Sequence, residues 1–188
     1  MTDFARLMSD YFVKYLAGQK GSGSNTMKTY RDTFVQLLEF MDEKKHIRAD
    51  CIEVDSFSYD IINEFLEYLE KEKRVSISTR NNRLAAIRSF FKYTGYHEPK
   101  YLNISTSIRE ISKKKTEGRQ MNYLSVNAME HFLNSFDKTD HKELRCFCIV
   151  LLLYESGARV TELCNVRRYD LHLEKPYTMI LHEIGRAH

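Results

Sequence analysis

A mainly α-helical fold in two parts is what this sequence predicts, and three observations support that prediction. Apolar residues recur every three or four positions in four successive stretches before residue 97, which indicates amphipathic helices. The same spacing returns after residue 123, beyond a segment that contains Pro99 and Gly118 and has weaker periodicity. An apolar, partly β-branched run over 177–181 predicts the first strand of a sheet. We therefore expect a four-helix bundle followed by a second, mostly helical part.

Helix start and stop signals define the four helices of the first part. The first helix should end at Gly18, before a flexible loop, and Ser24 or Asn25 should cap the second. The third should begin near Ser58, and the fourth should run from Ser78 or Thr79 to about Gly95. The predicted buried positions are Phe4, Leu7, Met8, Tyr11, Phe12, Tyr15 and Leu16 in the first helix, Tyr30, Phe34, Leu37, Leu38 and Met41 in the second, Ile61, Ile62, Phe65, Leu66 and Leu69 in the third, and Leu84, Ile87 and Phe91 in the fourth.

These elements suggest a helical domain over 1–97, a basic linker over 98–122 and a second domain over 123–182. In the second domain, Tyr123-Leu-Ser125 should open a helix that reaches Phe136. A further helix over 142–155 has almost no polar face in its latter half, so we expect it to be buried. A short third helix should follow Arg159.

Charge is distributed unevenly along the 188 residues, although the net charge is only +3. Residues 39–72 carry a net charge of −7, whereas residues 73–119 carry +9. A basic segment of this kind indicates a polyanionic partner. No segment has the length and apolarity of a membrane span, and no signal peptide precedes the first helix, so we expect a cytoplasmic protein without membrane association.

The cysteines and histidines give no indication of a metal or cofactor. Four cysteines are present without a CxxC pair or a His-rich cluster, so we expect no zinc site and interpret the thiols as reduced core residues. The histidines have no spacing typical of metal ligands and are interpreted as surface residues.

Basic and amide side chains form the candidate DNA-binding surface. In the fourth helix they occur without the interspersed glutamates that are typical of a merely solvated face, although a solvated face is the simpler alternative. Residues at the head of the second helix could contact phosphates near the positive helix end, and the linker lysines could follow the backbone or belong to a solvated loop. The candidates are Thr79, Arg80, Asn81, Arg83, Arg88 and Lys92 in the fourth helix, Thr26, Lys28 and Arg31 in the second, and Lys113, Lys114 and Lys115 in the linker.

Several motifs resemble those of the tyrosine recombinases, or phage-type integrases. The segment from Ser24 to Arg31 is similar to the family's "S..T...Y", and Ser78-Thr-Arg-Asn-Asn-Arg-Leu84 is similar to its "S..T.NR.L". Tyr123-Leu-Ser125 resembles the family's entry to the catalytic domain. The segment from Leu153 to Leu163, with Asp170 after it, resembles "LLY.TGLR.SEL..L...D", which carries the first catalytic arginine.

The resemblance implies a SAM-like core-binding domain, a basic linker and the start of a mixed α/β catalytic domain. It also implies that the parent protein binds double-stranded DNA, acts as a homotetramer on paired sites, and cuts and rejoins DNA through a 3′-phosphotyrosyl intermediate without a cofactor. The family's lysine, His-x-x-Arg pair and nucleophilic tyrosine have no matching positions in this chain. We therefore expect the chain to bind DNA without cutting it.

Arg159 is the candidate catalytic residue. During phosphodiester cleavage, negative charge gathers on the non-bridging oxygens, and a guanidinium offers two fixed, charged donors to them. The glycine at 157 permits a sharp turn just before this arginine. Glu162 lies three residues on, on the same helix face, where it could orient the guanidinium or form only an exposed ion pair.

Two further interpretations concern the limits of the chain and its function. Residues 183–188 can be encoded by codons that match a common sequencing-read adapter, so we interpret them as a non-native tail on a truncated catalytic domain. The alternative to a recombinase fragment is a non-catalytic helical module that binds DNA or another protein.

Overall fold

The structure is a computed structural model, and it describes residues 1–116, 118, 123–172, 174–175 and 178–181. The chain divides into two compact units, which meet in sequence at Gly118. The described residues are mainly α-helical, as the sequence predicts. Within these ranges, no helix combines the length and apolarity needed to cross a membrane.

Within its described residues, the first unit contains five α-helices, connected by short loops and 3₁₀ turns. Helix α1 (Asp3–Asp10) continues as a π-helix (Tyr11–Gln19), and α2 (Ser24–Lys45), α3 (Tyr59–Lys71), α4 (Ile77–His97) and α5 (Leu102–Glu110) follow. The hydroxyl oxygens of Ser58 and Ser76 accept backbone N–H groups of the first turns of α3 and α4, each at 3.2 Å. The 3₁₀ turns lie at Ala49–Cys51, Val54–Ser56 and Pro99–Tyr101.

The core of the first unit agrees with the predicted apolar pattern. Every predicted buried position of the first four helices lies in the core or packs against it. Phe90 lies at the centre, fully buried, and its ring centroid is 5.3 to 5.5 Å from those of Phe4, Tyr11, Phe34 and Phe91. Such edge-to-face pairs add to the stability that burial of the rings provides.

Helix α5 is the largest departure from the expected organisation of the first unit. It lies inside the segment predicted as linker and packs along α4, with Ile108 and Ile111 buried. At the contact between the two helices Gly95 faces Ser105, where a Cβ on the glycine would lie 2.7 Å from the serine Cβ. Serines and threonines dilute the apolar pattern of α5, which is why its sequence resembles a linker.

The second unit contains three α-helices and a short hairpin within its described residues. Helices α6 (Val126–Asn134), α7 (His141–Ser156) and α8 (Val160–Cys164) are followed by a 3₁₀ turn (Arg168–Asp170) and by strands β1 (Leu171–His172) and β2 (Thr178–Met179). The strands pair antiparallel, with Leu171 opposite Met179. The predicted strand is therefore the second of a pair and not the first. Its predicted first residue, Tyr177, and the proposed tail over 183–188 lie outside the described residues.

Two burial predictions are wrong. No residue of α7 is buried by the described part of the chain, and Leu152 and Tyr154 are 40% and 47% exposed. The described neighbours are too few to cover this helix, and the ring of Phe147 contacts that of Phe136, which follows the end of α6. The four cysteines are free thiols, as expected, but they are exposed and do not belong to the core.

Candidate nucleic-acid interface

The main basic feature of the first unit is an open cleft between the π-helix, α4 and α5. Its volume is about 600 Å³, and Tyr15, Ala85, Ser89 and Thr106 contribute to its walls. Five cationic side chains line it against one carboxylate: Lys20, Arg88, Lys92, Arg109 and Lys113 against Glu110. Of these cations, Arg88, Lys92 and Lys113 are among the residues predicted from the sequence to bind DNA. We call this feature the basic cleft.

The lysines of the basic cleft differ from other lysines of the unit in their partners. Lys44 and Lys71 lie 2.9 and 2.7 Å from glutamate oxygens, and the ion pairs hold the pKa of both ammonium groups above its usual range. Among the described residues, no carboxylate oxygen lies within 4 Å of the ammonium groups of Lys20, Lys92 or Lys113. Closely spaced cations without anionic partners repel one another and attract a polyanion.

The start of α2 extends the basic surface. Thr26, Lys28 and Arg31 are exposed there, as predicted. The N-cap is Gly23 and not the predicted Ser24 or Asn25, and it makes no side-chain hydrogen bond. The first backbone N–H groups of α2 therefore lack a side-chain acceptor. A hollow of about 300 Å³ at this helix start also contains Ala85, which it shares with the basic cleft. The surface is thus continuous from α2 to α5, and a helix N-terminus adds to its attraction for phosphate.

Arg80 and Asn81 do not lie on this exposed surface, contrary to the prediction for the fourth helix. They are only 5% and 9% exposed, respectively. Arg80 Nη1 donates to the carbonyl oxygen of Ser112 at 3.2 Å, and the Asn81 side chain binds the backbone of Lys114. These contacts bridge more than thirty residues of sequence, and helix periodicity carries no information about them.

The remaining DNA-binding candidates of α4 form hydrogen bonds within the first unit. Arg83 Nη1 donates to the carbonyl oxygen of Thr29 at 3.0 Å and links α4 to α2. Arg88 Nε donates to the carbonyl oxygen of Arg109 at 2.9 Å, which fixes one wall of the basic cleft. Thr79 is half-buried near the start of α4, and its hydroxyl lies 3.0 Å from that of Ser76.

The linker lysines have different environments. Lys113 lines the basic cleft, and Lys115 is exposed. Lys114 Nζ forms an ion pair with Glu70 at 2.8 Å, so its charge is balanced within the first unit.

In the second unit, the local structure around Arg159 matches the predicted turn. Gly157 ends α7 with φ +62°, a left-handed conformation that glycine adopts without strain. Arg159 follows as the N-cap of α8, and its side chain is 54% exposed. The turn therefore presents a guanidinium to solvent immediately before a short helix.

Glu162 holds Arg159 through both the backbone and the side chain. Its Oε2 accepts the Arg159 backbone N–H at 2.8 Å, and its Oε1 forms an ion pair with the guanidinium. The backbone hydrogen bond, followed by the guanidinium contact, lowers the pKa of the Glu162 carboxyl below its usual range. Glu162 is buried at 6% exposure, whereas the Arg159 side chain is 54% exposed, so only the carboxylate partner of this ion pair is shielded from solvent. Asp170 is also buried and accepts the Arg167 backbone N–H at 2.7 Å.

Sequence reasoning missed Lys20 and Arg109 as members of the basic surface. Lys20 follows the first helix in a Gly-rich segment that indicates only a loop, and Arg109 belongs to the unpredicted α5. The available signal was an excess of basic over acidic residues from Arg88 to Lys113, where five lysines and arginines occur with two glutamates.

Comparison with known proteins identifies the class of the chain. Residues 10–99 match the family model of the phage integrase N-terminal SAM-like domain. A Sinorhizobium fredii protein named as an integrase/recombinase, y4rC, is 28% identical over 89% of this chain and 50% of its own length. Tyrosine recombinase XerC of Staphylococcus aureus is 26% identical over 87% of this chain and 52% of its own length.

A solved structure supports the fold. The XerH site-specific recombinase, crystallised with a palindromic difH substrate, matches with a TM-score of 0.61 and 21% identity over 92% of this chain and 50% of that one. The first unit thus carries the SAM-like domain of phage integrases. Residues 10–99 therefore belong to the phage integrase N-terminal SAM-like family, and the chain as a whole is similar to tyrosine recombinases and integrases. The chain spans about half the length of the curated relatives it matches.

Proposed function

We propose that the first unit binds double-stranded DNA through the basic cleft and the start of α2. In this proposal the first unit is the core-binding domain of a site-specific tyrosine recombinase or integrase, and the second unit is the start of its catalytic domain. The whole protein would act as a homotetramer on paired DNA sites in the cytoplasm, without a cofactor. This chain alone would bind DNA without cutting it.

The exposed, unpaired lysines are the observation that supports DNA binding most directly. Lys28, Lys92 and Lys113 have no carboxylate partner within the described residues, whereas Lys44 and Lys71 on α2 and α3 have one each. A phosphate backbone supplies the missing negative charges at regular intervals, and neutralising them releases counterions.

The salt dependence of DNA binding tests this proposal. The Lys28→Gln/Lys92→Gln variant should bind a generic duplex more weakly, and the slope of log K against log salt should decrease in magnitude by roughly 1.8 if each lysine neutralises one phosphate. The matched control is Lys44→Gln/Lys71→Gln, which removes the same charge from paired positions. Fluorescence anisotropy from 50 to 200 mM salt measures both slopes.

Equal slopes for the two double variants would contradict the proposed surface. Binding that is absent even at low salt would favour the alternative, a helical protein-interaction module without a nucleic-acid role. The control separates these outcomes from a general effect of net charge.

For the second unit, we propose that Arg159 forms one half of a phosphate clamp in the whole recombinase and that Glu162 orients it. The exposed guanidinium, held at its base by a buried carboxylate, supports this role. In a whole protein that contains this chain, Arg159→Ala should lower strand cleavage by roughly two orders of magnitude or more while DNA binding persists. Unchanged cleavage in a suicide-substrate assay would refute the clamp role.

A further inference from the structure

Arg80 and Asn81 form a buried polar contact with the segment that leaves the first unit. Asn81 Nδ2 donates to the carbonyl oxygen of Lys114 at 2.8 Å, and Asn81 Oδ1 accepts the Lys114 backbone N–H at 3.1 Å. One carboxamide thus satisfies both backbone groups of a single residue, as a neighbouring β-strand would. Asn81 accordingly recognises the main chain at position 114 and not its side chain.

Arg80 and Glu70 make further contacts with Asn81 and with the same segment of the chain. Arg80 donates to the Ser112 carbonyl and to Asn81 Oδ1, both at 3.2 Å. Arg80 Nε and Glu70 Oε1 are 3.3 Å apart, an ion pair without good hydrogen-bond alignment, and Glu70 Oε2 binds Lys114 Nζ at 2.8 Å. The guanidinium is almost fully buried, so its charge depends on these partners.

The contact determines where the chain leaves the first unit. Helix α5 runs back along α4, from the Gly95–Ser105 contact past Arg88 and Arg109, until Ser112 and Lys114 meet the start of α4. Asn81 lies sixteen residues before His97, the last residue of α4, which is about 24 Å along the helix axis at 1.5 Å per residue. The chain therefore departs beside the start of α4 and not from its end.

We infer that Arg80 and Asn81 are positioning residues that anchor the linker to the first unit at Ser112–Lys114. The tether to the second unit then begins after Lys114. Eleven residues, 115–125, separate this anchor from α6, and they can span at most roughly 40 Å. Releasing the anchor adds three residues, or about 10 Å, to that reach. This inference does not depend on DNA binding, because it concerns the free protein.

Hydrogen exchange of the whole chain tests the anchor. Asn81→Leu keeps the number and branching of the side-chain heavy atoms but removes both hydrogen bonds, so the amides of residues 112–116 should exchange about tenfold faster than in the unaltered chain. The matched control is Asn82→Leu, at the exposed neighbouring asparagine, and it should leave these amides unchanged. Thermal unfolding followed by circular dichroism verifies that both variants are folded.

A second variant changes the linker residue that Asn81 binds. Lys114→Pro removes the N–H that Asn81 accepts, and Lys115→Pro is its control, since neither exposed position belongs to the core. Lys114→Pro alone should accelerate exchange at the neighbouring amides and, in small-angle scattering, widen the distance distribution between the units by up to about 10 Å. Equal exchange in Asn81→Leu and Asn82→Leu, or in the two proline variants, would overturn the inference.

Discussion

The contact between Gly95 and Ser105 permits a prediction whose magnitude follows from the structure. A Cβ on Gly95 would lie 2.6 Å from the Ser105 Oγ and 2.7 Å from its Cβ, whereas unstrained carbon contacts are about 3.5 to 4.0 Å. Gly95→Ala must therefore push α5 away from α4 by close to 1 Å. Overpacking of this kind costs about 1 to 3 kcal/mol.

Helix propensity opposes that cost, because alanine is about 1 kcal/mol more favourable than glycine in a helix interior. A double-mutant cycle with Ser105→Gly separates the two effects. The changes in helix propensity caused by the two substitutions cancel in the coupling free energy. The steric conflict does not cancel, because it exists only when residues 95 and 105 both have a Cβ atom. We expect a coupling of about 1 to 3 kcal/mol that favours the double variant over the sum of the single ones.

Urea unfolding followed by tyrosine fluorescence measures the four free energies, and hydrogen exchange of α5 shows whether the effect is local. The basic cleft should also respond, because Arg109 and Lys113 are carried by α5 and the segment after it. Gly95→Ala should therefore weaken DNA binding, and the double variant should restore it. A coupling smaller than about 0.5 kcal/mol would refute the proposed close packing of these helices.

Two further predictions concern the core and the Arg159 turn. Phe90→Ala should lower the free energy of unfolding by about 3 to 5 kcal/mol, because a fully buried ring at the centre of four aromatic contacts is lost; a change below about 1 kcal/mol in a urea titration would contradict this position. Because folding lowers the pKa of Glu162, its contribution to stability should be present above the ordinary glutamate pKa and disappear as pH falls through the lowered value. Glu162→Gln should abolish that pH dependence in the exchange of the Arg159 amide, and an identical acid transition in both proteins would disprove the linkage.

The sequence was sufficient to predict the first four helices and their core. Ser58 before an apolar stripe marks the beginning of α3, since both the capping hydroxyl and the periodicity are local properties. Gly157 likewise predicted the turn before Arg159, because a left-handed residue after a helix favours glycine. The fold of the first unit follows from such local signals together with the burial of apolar side chains.

Long-range contacts of polar residues could not be predicted in the same way. Arg80 and Lys92 both occur in the basic stretch of α4, yet one is buried against Ser112 and the other is exposed. The difference depends on the return of α5 along α4, and α5 itself has a weak apolar pattern. A charge pattern therefore indicated the correct helix but not which of its cations face solvent.

The hydrogen bonds of Asn81 have a consequence for how the family's linkers can vary. A carboxamide that recognises only peptide groups accepts any residue at position 114 except proline, which lacks the required N–H. Substitution at position 114 can therefore alter charge or bulk without loss of the Asn81 hydrogen bonds, although it removes the ion pair with Glu70. Substitution of Asn81 removes the hydrogen bonds themselves. Across related sequences, we expect the asparagine at the position of Asn81 to be invariant. The residue at the position of Lys114 should vary freely, except that it should not be proline.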